Sequence, residues 1–297
     1  MSRGDMSDSV LLRTILQLKP LARFYGSCNP LKKQFTVTVV QSNLVWEDVA
    51  ANIDHFDKLL SVEKLRSIST DLILLPEMFT TGFSMRSQAL AESMHDRTAT
   101  WLKEKSVALN CAIAGSAIIA DEEKYFNRFL LAQPNQELVW YDKRHLFRMS
   151  TENDHYSAGQ SHQCLEIQGL MLSPQICYDL RFPVWTRNPL PTEPGHYQIQ
   201  TFVANWPARR RNHWLKLLQA RAIENQCYVV GVNRIGTDGN GVEYCGDSVV
   251  VDFHGEIILD MKSKAGLGHI TFDMDALTAY RRDFPAWKDS DKFLTDT

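Results

Sequence analysis

Residues 71–83 read DLILLPEMFTTGF, and this stretch indicates the class of fold. Four consecutive apolar residues at 72–75, bounded by Asp71 and Pro76, predict a short strand that is buried on both faces. Strands of this kind occur in sheets that helices cover. Glu77 follows at once, so it would lie at the carboxyl edge of the sheet, where open α/β proteins usually bind ligands.

The periodicity on both sides of this stretch supports a mixed α/β domain. Phe35, Val37 and Val39 alternate as in a strand, and residues 49–60 carry apolar side chains at helical spacing. Further strands are predicted at 111–119, 201–205, 227–234, from 166 into Cys177, and in hairpins at 128–143 and 246–260; helices are predicted at 99–109 and 213–226. We therefore expect one domain at 35–280, between an N-terminal extension (1–34) and a C-terminal tail (281–297).

Composition excludes several partner classes. The 297 residues carry a net charge of −3 and no apolar run of membrane-spanning length, so we expect no nucleic-acid and no membrane partner. The triplet Arg209-Arg210-Arg211 is interpreted as a solvated or interface surface. Six cysteines without a CxxC pair favour free thiols and a cytoplasmic location. Residues 1–34 are basic and partly apolar, which leaves an organelle-targeting peptide or a non-native start open.

Three residues are candidates for chemistry. Glu77 can act as a general base if it is partly buried, or it can be an ordinary solvated glutamate. Lys143 lies at the end of the second strand of the 128–143 hairpin and can meet a developing oxyanion, although surface lysines are more common. Cys177, at the end of a predicted strand, can be a nucleophile or a buried structural thiol. Cys111, Cys227 and Cys245 lie within strand patterns and are interpreted as core.

Other chemistries find less support in the sequence. Five histidines are available as metal ligands: His145, His155, His162, His196 and His213. No HExxH motif or tight ligand pair accompanies them, so no metal is expected. The sequence contains no GxSxG motif, which is the motif that would indicate a serine hydrolase. The glycines of GTDGNG (236–241) open no helix and therefore predict no phosphate site.

Six segments together resemble the nitrilase superfamily of carbon–nitrogen hydrolases. In order from residue 36 to 275 these are LLPEMFTTGF, YDKRHLF, ICYDLRFP, VANWP, ARAIENQCYVVGVNRIG and GDSVVVDFHGEII. The resemblance implies a single-domain α/β fold, a four-layer α-β-β-α sandwich. It also implies hydrolysis of amides or nitriles through a cysteine acyl-enzyme, with no metal or organic cofactor, in a homodimer or higher homo-oligomer.

The matched positions imply a role for each residue. Cys177 corresponds to the nucleophile, Glu77 to the general base and Lys143 to the oxyanion stabiliser. Glu152, in RMSTENDHYSAG, corresponds to a second glutamate that supports the lysine, and the backbone N–H of Tyr178 would share the oxyanion.

CYDLRFPVW, KRHLF and PEMFTTGF resemble the omega-amidases, which convert 2-oxoglutaramate or 2-oxosuccinamate to the 2-oxo-dicarboxylate and ammonia. The expected partner is thus a small-molecule amide. Alternatives are a deaminated-glutathione amidase, an N-carbamoyl amidase, a nitrilase, or a non-catalytic binding module on the same fold. Candidate substrate contacts are Phe79, His145, Arg148, Arg181 and Trp206. Arg181 is interpreted as the salt-bridge partner of Asp179, with a substrate-carboxylate clamp as the other possibility.

Overall fold

The computed structural model describes residues 32–65, 68–191 and 196–291; most of the predicted N-terminal extension and the end of the predicted tail lie outside these ranges. The strands are β1 Gln34–Gln41, β2 Leu72–Leu74, β3 Ala112–Asp121, β4 Lys124–Ala132, β5 Val139–Asp142, β6 Leu165–Ile167, β7 Leu170–Ile176, β8 Ile199–Ala204, β9 Tyr228–Asn233, β10 Ile235–Thr237, β11 Glu243–Cys245, β12 Val249–Val251, β13 Ile257–Asp260 and β14 Gly266–Asp273. The α-helices are α1 Val49–Leu59, α2 Val62–Leu65, α3 Ser87–Leu90, α4 Arg97–Leu109, α5 Glu152–His155, α6 Arg211–Asn225 and α7 Met274–Asp283. Short 3-10 turns cover Arg148–Ser150, Cys177–Arg181, Ala208–Arg210 and Ala286–Asp289.

Two six-stranded mixed sheets form the centre of the protein. The first has the order β14-β1-β2-β3-β4-β5 and the second the order β13-β12-β9-β8-β7-β6. The central strands β1, β2 and β3 run parallel, as do β7, β8 and β9, while antiparallel strands lie towards the edges. The carboxyl ends of the parallel strands therefore meet at one edge of each sheet.

The sheets face each other across one apolar layer. Val37 and Leu74 from the first sheet share a buried cluster with Leu172 and Val230 from the second. The alternation predicted for β1 is confirmed, because Phe35, Val37 and Val39 all point into this layer.

Helices cover the two outer faces. Phe56 of α1 and Leu102 of α4 pack on Ile73 and neighbouring side chains of the first sheet. Trp214 and Leu218 of α6 pack on the second sheet, so closely that a Cβ on Gly231 of β9 would lie 2.5 Å from a Leu218 methyl. The expected α-β-β-α sandwich is thus confirmed.

Some local predictions are wrong. Residues 166–172 form a tight hairpin between β6 and β7 instead of one strand, because Gln168 and Gly169 both adopt positive φ, 51° and 83°. Cys245 is half-buried in the small β10–β11 sheet and donates to Asp247, whereas Cys111 and Cys227 are buried as predicted. In the described part of the chain, no helix is both long and apolar enough to cross a bilayer.

Candidate active site

Four polar residues follow four strand ends and meet between the sheets. Glu77 lies after β2 and Lys143 directly after β5, both on the first sheet. Cys177 follows β7 and Asn205 follows β8, both on the second. The structure thus brings together the three predicted residues Glu77, Lys143 and Cys177.

The Glu77 carboxylate is fully buried and accepts hydrogen bonds at both oxygens. Oε1 accepts from Asn127 Nδ2 at 2.8 Å and from Lys143 Nζ at 2.9 Å. Oε2 accepts from the backbone N–H of Asn205 at 2.7 Å. Asn205 Nδ2 donates in addition to the Glu77 carbonyl at 2.7 Å. A carboxylate with this many donors is fixed in orientation.

Lys143 lies between two glutamates. Its Nζ is 2.9 Å from Glu77 Oε1, and 2.9 and 3.0 Å from the two Glu152 oxygens, with all three side chains buried. Burial opposes the ammonium charge, but Glu152 and Glu77 outweigh it and raise the pKa of Lys143. Burial raises the pKa of Glu152 as well, against the effect of Lys143. Lys143 is therefore a permanent cation within the site.

Cys177 begins the 3-10 turn after β7 with a φ of +46°, a left-handed conformation that is uncommon for any residue other than glycine. Its thiol lies beside the Glu77 carboxylate. Burial first, and then the charge of Glu77, raise the pKa of Cys177 well above its usual value. Cys177 is thus a neutral thiol beside a carboxylate, and its strained backbone is typical of functional positions.

Asp179 fixes this turn. Its buried carboxylate accepts from the backbone N–H of Ile176 at 3.0 Å and from the Tyr141 hydroxyl at 2.9 Å. It also accepts from the backbone N–H and the Nδ1 of His145, at 2.9 and 2.8 Å. Asp179 thus caps the turn, and the cap also connects the two sheets.

Arg181 does not pair with Asp179, so the favoured interpretation is wrong. The turn directs the two side chains apart: Arg181 lies over the Trp206 ring, 4.9 Å from its centre, and Nη2 donates to His213 Nδ1 at 3.0 Å. Trp206 is buried beneath it. Arg181 and Trp206 therefore remain candidates for contact with the substrate.

The other candidates are placed differently. Tyr178 opens the 3-10 turn beside Cys177, where a first-turn N–H has no acceptor within its own helix, and its ring packs against Phe147. Phe79 is fully buried between Phe56 and Trp101 in the helix layer, so it does not reach the site. His145 stacks on Phe182 and donates a hydrogen bond to Asp179, so its role is structural. Arg148 is exposed in its turn.

Sequence reasoning missed two asparagines that orient Glu77. Asn127 lies in the middle of β4, and Ser116 of β3 donates to its Oδ1 at 2.8 Å, which leaves its Nδ2 for Glu77. Asn205 carried a signal, since it is a polar residue at the end of a predicted strand. Among the described residues, no three His, Cys, Asp or Glu side chains converge as metal ligands would.

Comparison with known proteins agrees with this geometry. Residues 36–282 match the carbon-nitrogen hydrolase family. The chain is 46% identical to the omega-amidase YafV of Escherichia coli K12, covering 86% of this chain and 97% of that protein. It is 30% identical to a 2-oxoglutaramate amidase of Bacillus subtilis, covering 88% and 99%.

A solved structure is similar as well. The crystal structure of a CN-hydrolase superfamily protein of Xanthomonas campestris, with an arsenic adduct in its active site, superimposes with a TM-score of 0.84. It shares 42% identity, over 88% of this chain and 99% of the other. These matches confirm the resemblance drawn from the sequence, including its omega-amidase subgroup. The chain belongs to the carbon-nitrogen hydrolase family, within the nitrilase superfamily.

Proposed function

We propose that this protein is an omega-amidase that hydrolyses the terminal amide of a 2-oxo acid amide, 2-oxoglutaramate or 2-oxosuccinamate. One observation carries the chemistry: the buried Glu77 carboxylate is paired with Lys143 at 2.9 Å, beside the Cys177 thiol at the end of β7. The names of the relatives from E. coli and B. subtilis support the substrate class. The reaction yields the 2-oxo-dicarboxylate and ammonia.

The first step is attack by the thiol. Because the pKa of Cys177 is raised, the proton leaves the sulfur only as the C–S bond forms, and Glu77 accepts it. The electron pair of the carbonyl π bond moves to oxygen. We assign the resulting oxyanion to the Lys143 ammonium and the N–H of Tyr178, because a fixed buried cation stabilises such a charge strongly.

Glu77 then returns its proton to the amide nitrogen. The C–N bond breaks, ammonia leaves, and a thioester remains on Cys177. Glu77 next removes a proton from water as the water attacks the thioester carbon. The carboxylic acid departs and the sulfur regains a proton. Glu152 binds Lys143 and the backbone N–H of Phe147, so we assign it a positioning role.

Ammonia release from a panel of substrates tests the proposal. The panel contains 2-oxoglutaramate, glutamine, deaminated glutathione and a simple nitrile, with and without EDTA. We expect the highest kcat/KM for 2-oxoglutaramate, no effect of EDTA, and complete loss in Cys177→Ala. Cys245→Ala is the matched control, because Cys245 is a half-buried thiol outside the site.

Each contrary result identifies another protein. Turnover that EDTA abolishes indicates a metallohydrolase. Preference for deaminated glutathione leaves the mechanism intact and changes the substrate. No ammonia from any substrate indicates a non-catalytic module, and full activity in Cys177→Ala refutes the nucleophile.

We further propose a homodimer or higher homo-oligomer located in the cytoplasm. Support for association comes from the family and from exposed apolar side chains, among them Ile223 on α6 and Phe284 after α7, which are 52% and 58% exposed. Light scattering coupled to gel filtration tests the oligomer, and a single monomeric species would refute it. Fractionation of cells that express the tagged full chain tests the location, and recovery in an organelle would refute it.

A further inference from the structure

The three consecutive arginines at 209–211 have three different environments. Arg211 forms a two-point ion pair with Asp247, at 2.6 and 2.9 Å. Arg209 is exposed. Arg210 ends the Ala208–Arg210 turn, and its guanidinium lies over the Phe147 ring, 5.3 Å from the ring centre. The triplet is therefore not one uniform solvated surface.

Arg210 is held at the site without a counter-ion. Among the residues that the structure describes, no carboxylate lies within ion-pair distance of it, and its one polar neighbour is Met149 Sδ at 3.9 Å. Phe147, beneath it, packs edge-on against the Tyr178 ring, with centres 5.0 Å apart. The Phe147 backbone N–H donates to Glu152 at 2.6 Å. The residue beneath Arg210 is thus linked through Glu152 to Lys143.

Arg181 brings a second guanidinium close to the first. It lies over Trp206, whose Nε1 donates to the Arg210 carbonyl at 2.9 Å. Burial, and the like charges of Arg209 and Arg181, lower the pKa of Arg210, while Cys177 and Tyr178 oppose that effect. Arg210 lies over Phe147, which packs against Tyr178, the residue after Cys177, and its repulsion from Arg181 would be relieved by an anion between them.

We propose that Arg210 is a specificity-determining residue that binds the α-oxo carboxylate end of the substrate. This inference rests on the proposed function and deepens it. An α-oxo carboxylate presents three acceptor oxygens, more than one guanidinium fork can pair with. Guanidinium groups suit such planar anions, and stacking on an aromatic ring leaves their N–H edges available.

The test compares two substrates that differ in one group. In 4-oxopentanamide a methyl group replaces the carboxylate of 2-oxoglutaramate, and the reacting amide is unchanged. In Arg210→Met we expect kcat/KM for 2-oxoglutaramate to fall about 10- to 100-fold, mainly through KM, as for a lost charge-assisted hydrogen bond. For 4-oxopentanamide we expect a change of at most about twofold.

Two further variants make the result specific. Arg209→Met removes the same charge one residue away, and we expect both substrates to be unaffected. Arg210→Lys keeps the charge without the fork, and we expect partial recovery. Equal thermal melting of all variants establishes that they are folded.

The inference is overturned if Arg210→Met leaves both substrates unchanged, lowers both equally, or behaves as Arg209→Met does. Failure of the proposed function looks different, because wild type itself would then not hydrolyse 2-oxoglutaramate. In that case the effect of Arg210→Met on kcat/KM is measured with the preferred amide and with a counterpart that lacks the carboxylate. A wild type without preference for carboxylate-bearing amides also overturns the inference.

Discussion

Replacing Glu77 by glutamine separates the two consequences of its charge. The carboxylate accepts from Lys143 and Asn127 at one oxygen and from the Asn205 backbone N–H at the other. A glutamine retains one oxygen, so its NH₂ group meets a donor on one of these sides. One unsatisfied buried donor costs about 1–3 kcal/mol. We expect the free energy of unfolding to fall by about that amount, which leaves the protein folded.

Turnover and thiol reactivity should change in opposite directions. Loss of the proposed general base should lower kcat about 10²- to 10⁴-fold. The charge of Glu77 also raises the pKa of Cys177, second only to burial, so its removal lowers that pKa and increases the thiolate fraction at a given pH. Alkylation of Cys177 by iodoacetamide should therefore be as fast as in wild type or faster, with its pH profile moved to lower pH.

The assays are ammonia release, the pH dependence of iodoacetamide alkylation followed by mass spectrometry, and urea denaturation. Glu166→Gln, an exposed position on β6, is the matched control and should behave as wild type. The reasoning is refuted if Glu77→Gln keeps kcat within about tenfold of wild type. An alkylation profile displaced to higher pH would refute the electrostatic part.

Three other changes test the surroundings of the site. Asp179→Asn replaces an acceptor of four hydrogen bonds and should lower the free energy of unfolding by about 3 kcal/mol in urea, with a loss of kcat because the nucleophile turn is displaced. Gly159→Ala places a Cβ 2.1 Å from the Asp142 carbonyl and should cost about 1–3 kcal/mol and lower kcat, since the strand end that carries the lysine must move. Burial and Arg281 lower the pKa of His196 to about 4, so between pH 6.5 and 4 the unfolded chain binds a proton that the folded chain does not. About 2 kcal/mol of the free energy of unfolding, present above pH 6.5, should therefore be lost as the pH falls towards 4. The variant His196→Gln should lose less stability over this range.

Each of these has an outcome that contradicts it. Wild-type melting of Asp179→Asn would mean that its hydrogen bonds are replaced by water. An unchanged crystal structure and kcat for Gly159→Ala would show that the predicted close approach is absent. Equal losses between pH 7 and pH 5 in wild type and His196→Gln would assign the acid sensitivity to other groups.

The sequence predicted the strands well because their signal is local. Apolar runs and alternation define β2 and β1 without reference to distant residues, and the residues that follow each strand are visible at once. The hairpin at Gln168-Gly169 was missed because apolar residues continue on both sides and glutamine is not typical of such turns. That error involves two backbone angles rather than the hydrophobic pattern.

The site was less predictable because its contacts are long-range. Glu77 and Asn205 are 128 residues apart in sequence, and only the packing of two sheets brings them together. Family resemblance joined Glu77, Lys143 and Cys177; spacing did not. Asp179 and Arg181 illustrate the opposite error, since proximity in sequence suggested an ion pair that the 3-10 turn prevents.

The hydrogen bonds between the sheets also bear on how the protein reaches its native state. Glu77 on one sheet needs the Asn205 N–H on the other, and Asp179 needs the Tyr141 hydroxyl. An apolar interface alone tolerates sliding by a residue pair, but these carboxylates would then be buried without donors. The buried polar groups of the site thus also select one alignment of the two sheets. Recovery of amidase activity during refolding should consequently report the final alignment step, later than recovery of secondary structure.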